Sequence, residues 1–218
     1  MDKFTEVFIS SFAQLGVVLL VCLLVFCVLR LRRKAQISFS DFLGLRIPHE
    51  QMDKTFFLIL LGAIAFAVVG ALIQYNVSPT SRSFLLGDNS PYGKILKEQM
   101  GIVQILSGLL YCFVQSGGAE EVLFRGLFAR SLFRKFGFAI GNTIQSTLFW
   151  IMHLLIFKLV TGEWISWIQL YAFGVSFGLG LILGFVNQRK GGASIAPSWI
   201  IHSTTNFVTF LTLGFLIS

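Results

Sequence analysis

Two adjacent glutamates lie in a hydrophobic segment of the chain, five and four residues before an arginine. Glu121 and Arg125 are four residues apart and can form an ion pair on one face of a helix. Glu120 lies about 100° around the same helix, so its carboxylate can face a cavity while Glu121 neutralises Arg125. The alternative interpretation is an ordinary helix N-terminus after Gly117–Gly118, where carboxylates interact favourably with the helix dipole.

Three more polar residues occur on two further hydrophobic segments, again with helical spacing. His153 follows Phe149 by four residues, and Asn206 follows His202 by four residues. Residues at this spacing share a helix face, so the side chains of each pair can meet at one point. A single membrane histidine is often only an interhelical hydrogen-bonding residue, but polar pairs on three separate helices together indicate a catalytic site.

Glutamate, histidine and asparagine are together suited to hydrolysing an amide bond. Water is a poor nucleophile, so a general base such as Glu120 must hold it within hydrogen-bonding distance of the carbonyl group. Neutral donors, such as the amide of Asn206, stabilise the charge that develops in the transition state. Ser116 and Ser176 have no obvious partner in the sequence, so a serine nucleophile is not expected.

A zinc site is the alternative use of the same residues. Glu120, His153 and His202 could hold the ion with one coordination position open. Asparagine is a poor zinc ligand, however, and the motifs contain no closely spaced pair of histidines. We therefore expect catalysis without a cofactor and keep zinc as the alternative.

The composition places these residues in a membrane protein. Hydrophobic residues make up 55% of the chain and charged residues 12%, and the mean hydropathy is +0.79. A soluble domain needs more polar surface, and a membrane-spanning helix needs about 20 apolar residues. We predict an all-α fold: a polytopic membrane bundle of six to eight helices, one domain over residues 1–218, with the active site in an intramembrane cavity. The predicted spans are 7–29, 56–73, the first part of 102–136, 138–160, 164–186 and 195–217.

Two regions of this layout are irregular. A single helix over residues 102–136 would be about 52 Å long, whereas the hydrocarbon core of a bilayer is about 30 Å thick. Gly117–Gly118 therefore predicts an interruption between a membrane span and a helix that leaves along the surface, with Glu120 near the passage. Residues 74–100 contain two prolines and two glycines, which predict a turn-rich loop outside the hydrocarbon.

The basic residues indicate an orientation. The net charge is +7, but the lysines and arginines lie at the ends of apolar segments, so we expect a lipid bilayer and not nucleic acid as the partner. Eleven of them fall on one side of the predicted layout and five on the other. The positive-inside rule then predicts both termini outside, and the small size and charge bias suggest a bacterial inner (plasma) membrane.

The three pairs, in this order, resemble the family of CAAX prenyl proteases and bacteriocin-processing membrane enzymes, also called the CPBP or Abi family. The motifs of that family are Glu-Glu-x-x-x-Arg, Phe-x-x-x-His and His-x-x-x-Asn or His-x-x-x-Asp. This chain carries them at residues 120–125, 149–153 and 202–206 without departure. The resemblance covers residues 117–210 and implies an α-helical membrane endopeptidase related to the type II CAAX prenyl protease.

The resemblance also implies a role for each motif residue. The catalytic residues, which activate the water or stabilise the oxyanion, would be Glu120, His153, His202 and Asn206. The residues that support the site would be Glu121, Arg125 and Phe149.

Three functions fit these observations. The first is intramembrane hydrolysis of a peptide bond in a membrane-associated peptide or protein; prenylated tails, bacteriocin precursors and signalling peptides are all candidate substrates. The second is a non-proteolytic regulatory or scaffold partner of a sensor kinase or a peptide exporter. The third, metal-ion transport, ranks last because the sequence contains no internal repeat and no second cluster of membrane acids.

Overall fold

A computed structural model describes residues 2–33, 37–46, 53–77, 79–162, 167–189 and 191–218, and these contain nine helices and no strand. The helices, in chain order, are α1 (Lys3–Arg33), α2 (Phe39–Leu43), α3 (Lys54–Val77), α4 (Pro79–Leu86), α5 (Pro91–Ile95), α6 (Ile102–Phe136), α7 (Phe138–Thr161), α8 (Trp167–Arg189) and α9 (Ala196–Ile217). The predicted all-α fold is confirmed. The number of described helices is larger than the expected six to eight because α2, α4 and α5 are short helices in connecting segments.

Among the described residues, five helices are long and apolar enough to cross a membrane, namely α1, α3, α6, α7 and α9. The predicted spans at 7–29, 56–73, 138–160 and 195–217 coincide with four of them to within one residue or lie inside them. The fifth predicted span, 164–186, begins among residues that the structure does not describe, and its described part belongs to the 23-residue helix α8. This is the architecture of an integral membrane protein.

The segment 74–100 is largely helical, which corrects the prediction of a turn-rich loop. Pro79 and Pro91 each begin a helix, because proline fits the first helical turn, where its missing N–H has no intrahelical acceptor. Ser90 caps α5, and its side-chain oxygen accepts a hydrogen bond from the Gly93 N–H at 3.5 Å. Both prolines that indicated turns therefore mark helix starts.

Helix α6 is continuous, so the predicted interruption at Gly117–Gly118 is wrong. Two of its stretches, Tyr111–Ser116 and Val122–Ala129, are π-helical, which means that backbone hydrogen bonds span five residues instead of four. Glycine serves close packing here: a Cβ atom on Gly117 would lie 2.1 Å from Oγ of Ser203 in α9.

Helix α9 lies in the middle of the bundle and contacts α3, α6 and α8. Phe210 of α9 is fully buried and packs with Cys112 of α6 and Ile95 of α5. Its ring lies so close to α6 that a Cβ atom on Gly108 would be 2.3 Å away. This packing brings α9 against the first π-helical stretch of α6.

Polar side chains join α7 to α8. Asn142 Nδ2 donates a hydrogen bond to the Leu181 carbonyl at 3.0 Å, and Gln145 Nε2 donates to the Gly180 carbonyl at 2.9 Å. The approach requires glycine, because a Cβ atom on Gly184 would lie 2.0 Å from Asn142 Oδ1. Hydrogen bonds and small residues drive helix association in membranes, where apolar contact alone contributes little. They therefore fix α7 within the bundle.

Candidate active site

Three of the predicted site residues meet at one carboxylate oxygen. His153 Nε2 lies 4.0 Å from Glu120 Oε2, and His202 Nε2 lies 3.8 Å from the same atom. Within the described part of the chain, Glu120 Oε2 accepts no hydrogen bond. Helices α6, α7 and α9 thus direct a carboxylate and two imidazoles at one point, at separations that suit a bridging water.

The ring of His153 is oriented by its own helix. Its Nδ1 lies 2.8 Å from the carbonyl oxygen of Phe149, which can only accept, so Nδ1 carries a proton. In the neutral ring Nε2 is then an acceptor, and Nε2 is the atom directed at Glu120. The ring also packs on Phe149, with 4.4 Å between the ring centroids. The four-residue spacing of this pair therefore sets the tautomer of the histidine.

Glu121 orients the ring of His202. His202 Nδ1 lies 2.9 Å from Glu121 Oε1, so Nδ1 donates to this carboxylate and Nε2 is directed at Glu120. Glu121 is 0% exposed and His202 2% exposed. A buried carboxylate held against one ring nitrogen fixes the orientation and the tautomer of a histidine.

Glu121 belongs to a buried group of charged and polar side chains. Arg125 Nη1 lies 3.0 Å from Glu121 Oε1, and the hydroxyl of Ser198 donates a hydrogen bond to Oε2. The arginine contact is an ion pair but not an aligned hydrogen bond. The guanidinium also lies over the ring of Phe149, with Cζ 4.3 Å from the ring centroid, a cation–π contact. The structure thus brings the three predicted supporting residues together.

Asn206 is connected to Glu120 through a serine. Asn206 Nδ2 donates to Ser116 Oγ at 3.0 Å, and Ser116 Oγ donates to Glu120 Oε1 at 3.0 Å. The hydroxyl of Tyr92 donates to the backbone carbonyl of Asn206 at 2.9 Å. Burial raises the pKa of Tyr92, so its hydroxyl stays protonated at neutral pH. These contacts fix the Asn206 amide at the wall of a cavity.

The structure adds three residues to the site that the sequence did not indicate. The expectation that Ser116 has no partner is wrong, since its hydroxyl contacts both Glu120 and Asn206. Ser116 lies four residues before Glu120, and Ser198 lies four before His202. The spacing that identified the other pairs therefore also applies to both serines. Tyr92, the third, comes from α5, which no local spacing relates to α9.

The site opens into a cavity of about 1040 Å³. Helices α3, α6, α7, α8 and α9 form most of its wall, and α4, α5 and the turn between them contribute at one end. The wall is mainly apolar, and no lysine or arginine of the described residues lines it. Ligand pockets usually measure about 300–1,000 Å³, so this cavity can hold an extended peptide segment or a long apolar chain.

The three candidate zinc ligands lie farther apart than the ligand atoms of a bound zinc ion. Tetrahedral zinc holds nitrogen and oxygen ligands at about 2.0–2.1 Å, which places the ligand atoms about 3.3 Å from one another. The separations from Glu120 Oε2 are 3.8 and 4.0 Å, and the described part of the chain contains no group of three ligands at binding distance. The Nδ1 contacts of His153 and His202 nevertheless match those of zinc-binding histidines.

The family model described as type II CAAX prenyl endopeptidase, Rce1-like, matches residues 102–208. No curated protein and no solved structure matches the chain significantly. The matched segment begins at the first residue of α6 and ends in α9, two residues beyond Asn206. The resemblance seen in the three motifs is thereby confirmed. Residues 102–208, and with them every residue of the candidate site except Tyr92, belong to the Rce1-like family of type II CAAX prenyl endopeptidases.

Proposed function

We propose that this protein is an intramembrane endopeptidase that cleaves a membrane-associated peptide or protein with water activated by Glu120 and His153. The observation that carries the proposal is the 4.0 Å separation of His153 Nε2 from Glu120 Oε2. A water about 2.8 Å from both atoms makes two hydrogen bonds that diverge by about 90°. This is close to the angle between the O–H bonds of water, so one water can donate to both.

The first step adds the water to the scissile carbonyl carbon. Glu120 Oε2 takes one water proton as the new carbon–oxygen bond forms, and the carbonyl π electrons move onto the carbonyl oxygen. Ser116 occupies the other carboxylate oxygen, Oε1, which leaves Oε2 as the proton acceptor. His153 holds the second water hydrogen and so directs the oxygen lone pair at the substrate.

His202 and Asn206 stabilise the resulting oxyanion. One amide hydrogen of Asn206 is held by Ser116, and the second remains for the substrate. Because Nδ1 of His202 donates to Glu121, its Nε2 can also donate only when the ring is an imidazolium. The oxyanion itself supplies the counter-charge at Nε2, since Glu120 is protonated at this stage. Loss of one such donor typically raises the barrier by about 3 to 4 kcal/mol.

The second step breaks the carbon–nitrogen bond. Glu120 gives its proton to the leaving nitrogen while the oxyanion re-forms a carbonyl group. The products are a carboxylic acid and an amine, and Glu120 returns to its ionised form. One water molecule is consumed for each bond cleaved.

The cavity supports a substrate whose bound part is apolar and uncharged. A charge buried without a partner is costly, and no basic residue of the described wall could pair with a carboxylate. A hydrophobic peptide segment and a prenylated tail both meet this requirement. Zinc-assisted hydrolysis is the alternative mechanism, in which Glu120, His153 and His202 would hold the ion.

We also propose a bacterial inner membrane as the location, with both termini outside. Arg134 and Lys135 lie in the last turn of α6, and Arg189 lies in the last turn of α8. Basic residues at helix ends favour the cytoplasmic side. A phosphatase reporter that is active only outside, fused after Ser218, is expected to be active, and an inactive, stably produced fusion would contradict this orientation.

Wild-type protein and the variant Glu120→Gln, both reconstituted in proteoliposomes, test the endopeptidase proposal. One probe is an internally quenched peptide in which the fourth residue from the C-terminus is an S-farnesylated cysteine. The second is mass spectrometry of membrane peptides from cells that produce either protein, which requires no chosen substrate. We expect products that depend on the Glu120 carboxylate. Identical peptide sets with both probes would refute the proposal.

A further inference from the structure

The π-helical stretch Tyr111–Ser116 precedes Glu120 by one helical turn. At its end, the N–H of Gly117 bonds to the carbonyl of Cys112, five residues earlier. Such a turn inserts one residue into an α-helix, and one residue corresponds to about 100° of rotation. The direction in which Glu120 points therefore depends on this stretch keeping its π-helical form.

Two carbonyl groups of the stretch accept hydrogen bonds from side chains of other helices. Trp199 Nε1 of α9 donates to the Phe113 carbonyl at 2.7 Å. Gln14 Nε2 of α1 donates to the Gln115 carbonyl at 3.0 Å. Groups that insert into a helical hydrogen-bond ladder accompany irregular geometry of the helix. Here they come from two different helices, one from α9 and one from α1.

Helix α1 directs several polar groups at a single residue of the stretch. The hydroxyls of Ser10 and Ser11 lie 3.3 and 3.2 Å from Gln115 Oε1, and Gln115 Nε2 donates to Gln14 Oε1 at 3.1 Å. Polar side chains on a membrane helix usually mark an interhelical contact. Helix α1 lies outside the segment matched by the family model, so this contact is an attachment of the Rce1-like domain to a neighbouring helix.

We propose, on the basis of the proposed hydrolysis, that Trp199 and Gln14 are positioning residues that hold this π-helical turn and so fix Glu120 relative to α9. Trp199 lies three residues before His202, so the same helix carries the indole and the imidazole. Ser116, on the held turn, contacts both Glu120 and Asn206. A displacement of about 1 Å in such a site can lower the rate by about 10²-fold.

The variants Trp199→Phe and Gln14→Met remove the two donors and keep side chains of similar shape. Trp199 is 39% exposed, so loss of core packing is small. We expect each variant to lower kcat roughly three- to twenty-fold, the range that interhelical hydrogen bonds in membranes support. The KM value is expected to stay within about twofold, because neither residue lines the cavity. Phe215→Leu, in the same helix as Trp199 and 71% exposed, is the matched control.

A double-mutant cycle distinguishes positioning from general destabilisation. If Trp199 acts through the turn that carries Ser116, the effects of Trp199→Phe and Ser116→Ala on kcat are not multiplicative. If the two effects on kcat multiply, Trp199 does not act through the turn that carries Ser116. The probe is the farnesylated quenched peptide, assayed in proteoliposomes.

Amide hydrogen exchange of the detergent-solubilised protein provides a measurement that requires no substrate. Both variants are expected to exchange faster over residues 111–121 and unchanged over α7. If the wild type cleaves the peptide and both variants match its kcat, the positioning role is refuted while the endopeptidase stands. If neither the farnesylated peptide nor any membrane peptide is cleaved in a Glu120-dependent way, the endopeptidase proposal fails, and unchanged exchange in both variants refutes the positioning role separately.

Discussion

Glu120 and Glu121 are neighbours in the chain, but their carboxylates face opposite nitrogens of one imidazole. Glu121 Oε1 lies 2.9 Å from His202 Nδ1, and Glu120 Oε2 lies 3.8 Å from Nε2 of the same ring. The rotation of about 100° between successive helical residues permits this arrangement. The two acids therefore have different surroundings. Glu121 is buried with Arg125, whereas Glu120 faces the cavity.

Replacement of Glu120 by glutamine removes a general base and keeps the shape of the side chain. We expect kcat to fall by about 10²- to 10⁴-fold with little change in the unfolding temperature, because a glutamine oxygen can still accept from Ser116. Glu6→Gln, at a site where the side chain is 57% exposed, is the control. Wild-type rates in the Glu120→Gln protein would exclude this carboxylate as the base.

Loss of the Glu121 carboxylate leaves the buried Arg125 without its counter-charge. Breaking a buried pair in this way costs about 3–5 kcal/mol, so Glu121→Gln is expected to unfold at a lower temperature and to lose activity. Arg46→Ala breaks the exposed pair with Asp41, which measures 2.7 Å, and is expected to change stability little. Thermal unfolding in detergent measures both; equal stability of the two variants would show that the buried group is not structural.

Asn206→Ala removes one of the donors proposed for the oxyanion. We expect kcat to fall by about 10²- to 10³-fold while KM stays close to the wild-type value, since the interaction forms in the transition state. Thr212→Val is the control in the same helix, because the Thr212 hydroxyl donates to the carbonyl of Val208 in its own helix, at 2.8 Å. A rise in KM with unchanged kcat would instead assign Asn206 to substrate binding.

Removal of metal ions is expected to leave the activity unchanged. The atoms that would bind zinc are 3.8 and 4.0 Å apart, wider than the roughly 3.3 Å of a tetrahedral site. The measurement is kcat before and after dialysis against a zinc chelator, with elemental analysis of the purified protein. Inhibition that added zinc reverses, together with one bound zinc per chain, would establish the zinc mechanism.

The sequence predicted the motif pairs because each is set by four-residue spacing within one helix, as for Phe149 and His153. It failed where a residue acts across helices. Gly117 predicted a break in α6, but its missing side chain makes room for Ser203 of α9. Tyr92 reaches Asn206 only through the packing of α5 on α9.

The depth of the two histidines could not be predicted either. His153 lies fifteen residues after the start of α7, and His202 lies six after the start of α9. At 1.5 Å per residue, side-by-side helices would separate them by about 14 Å, yet both rings lie within 4.0 Å of Glu120 Oε2. The helices are therefore offset or tilted, and that depends on interhelical contacts such as Asn142 with Gly184.

The burial of Glu121 and Arg125, 0% and 2% exposed, also insulates the site from dissolved ions. Salt weakens exposed charge pairs over a Debye length of about 8 Å at physiological ionic strength, but it screens buried pairs much less. The electrostatics that orient His202 are thus set by the protein and the bilayer. They change little when the salinity of the medium changes.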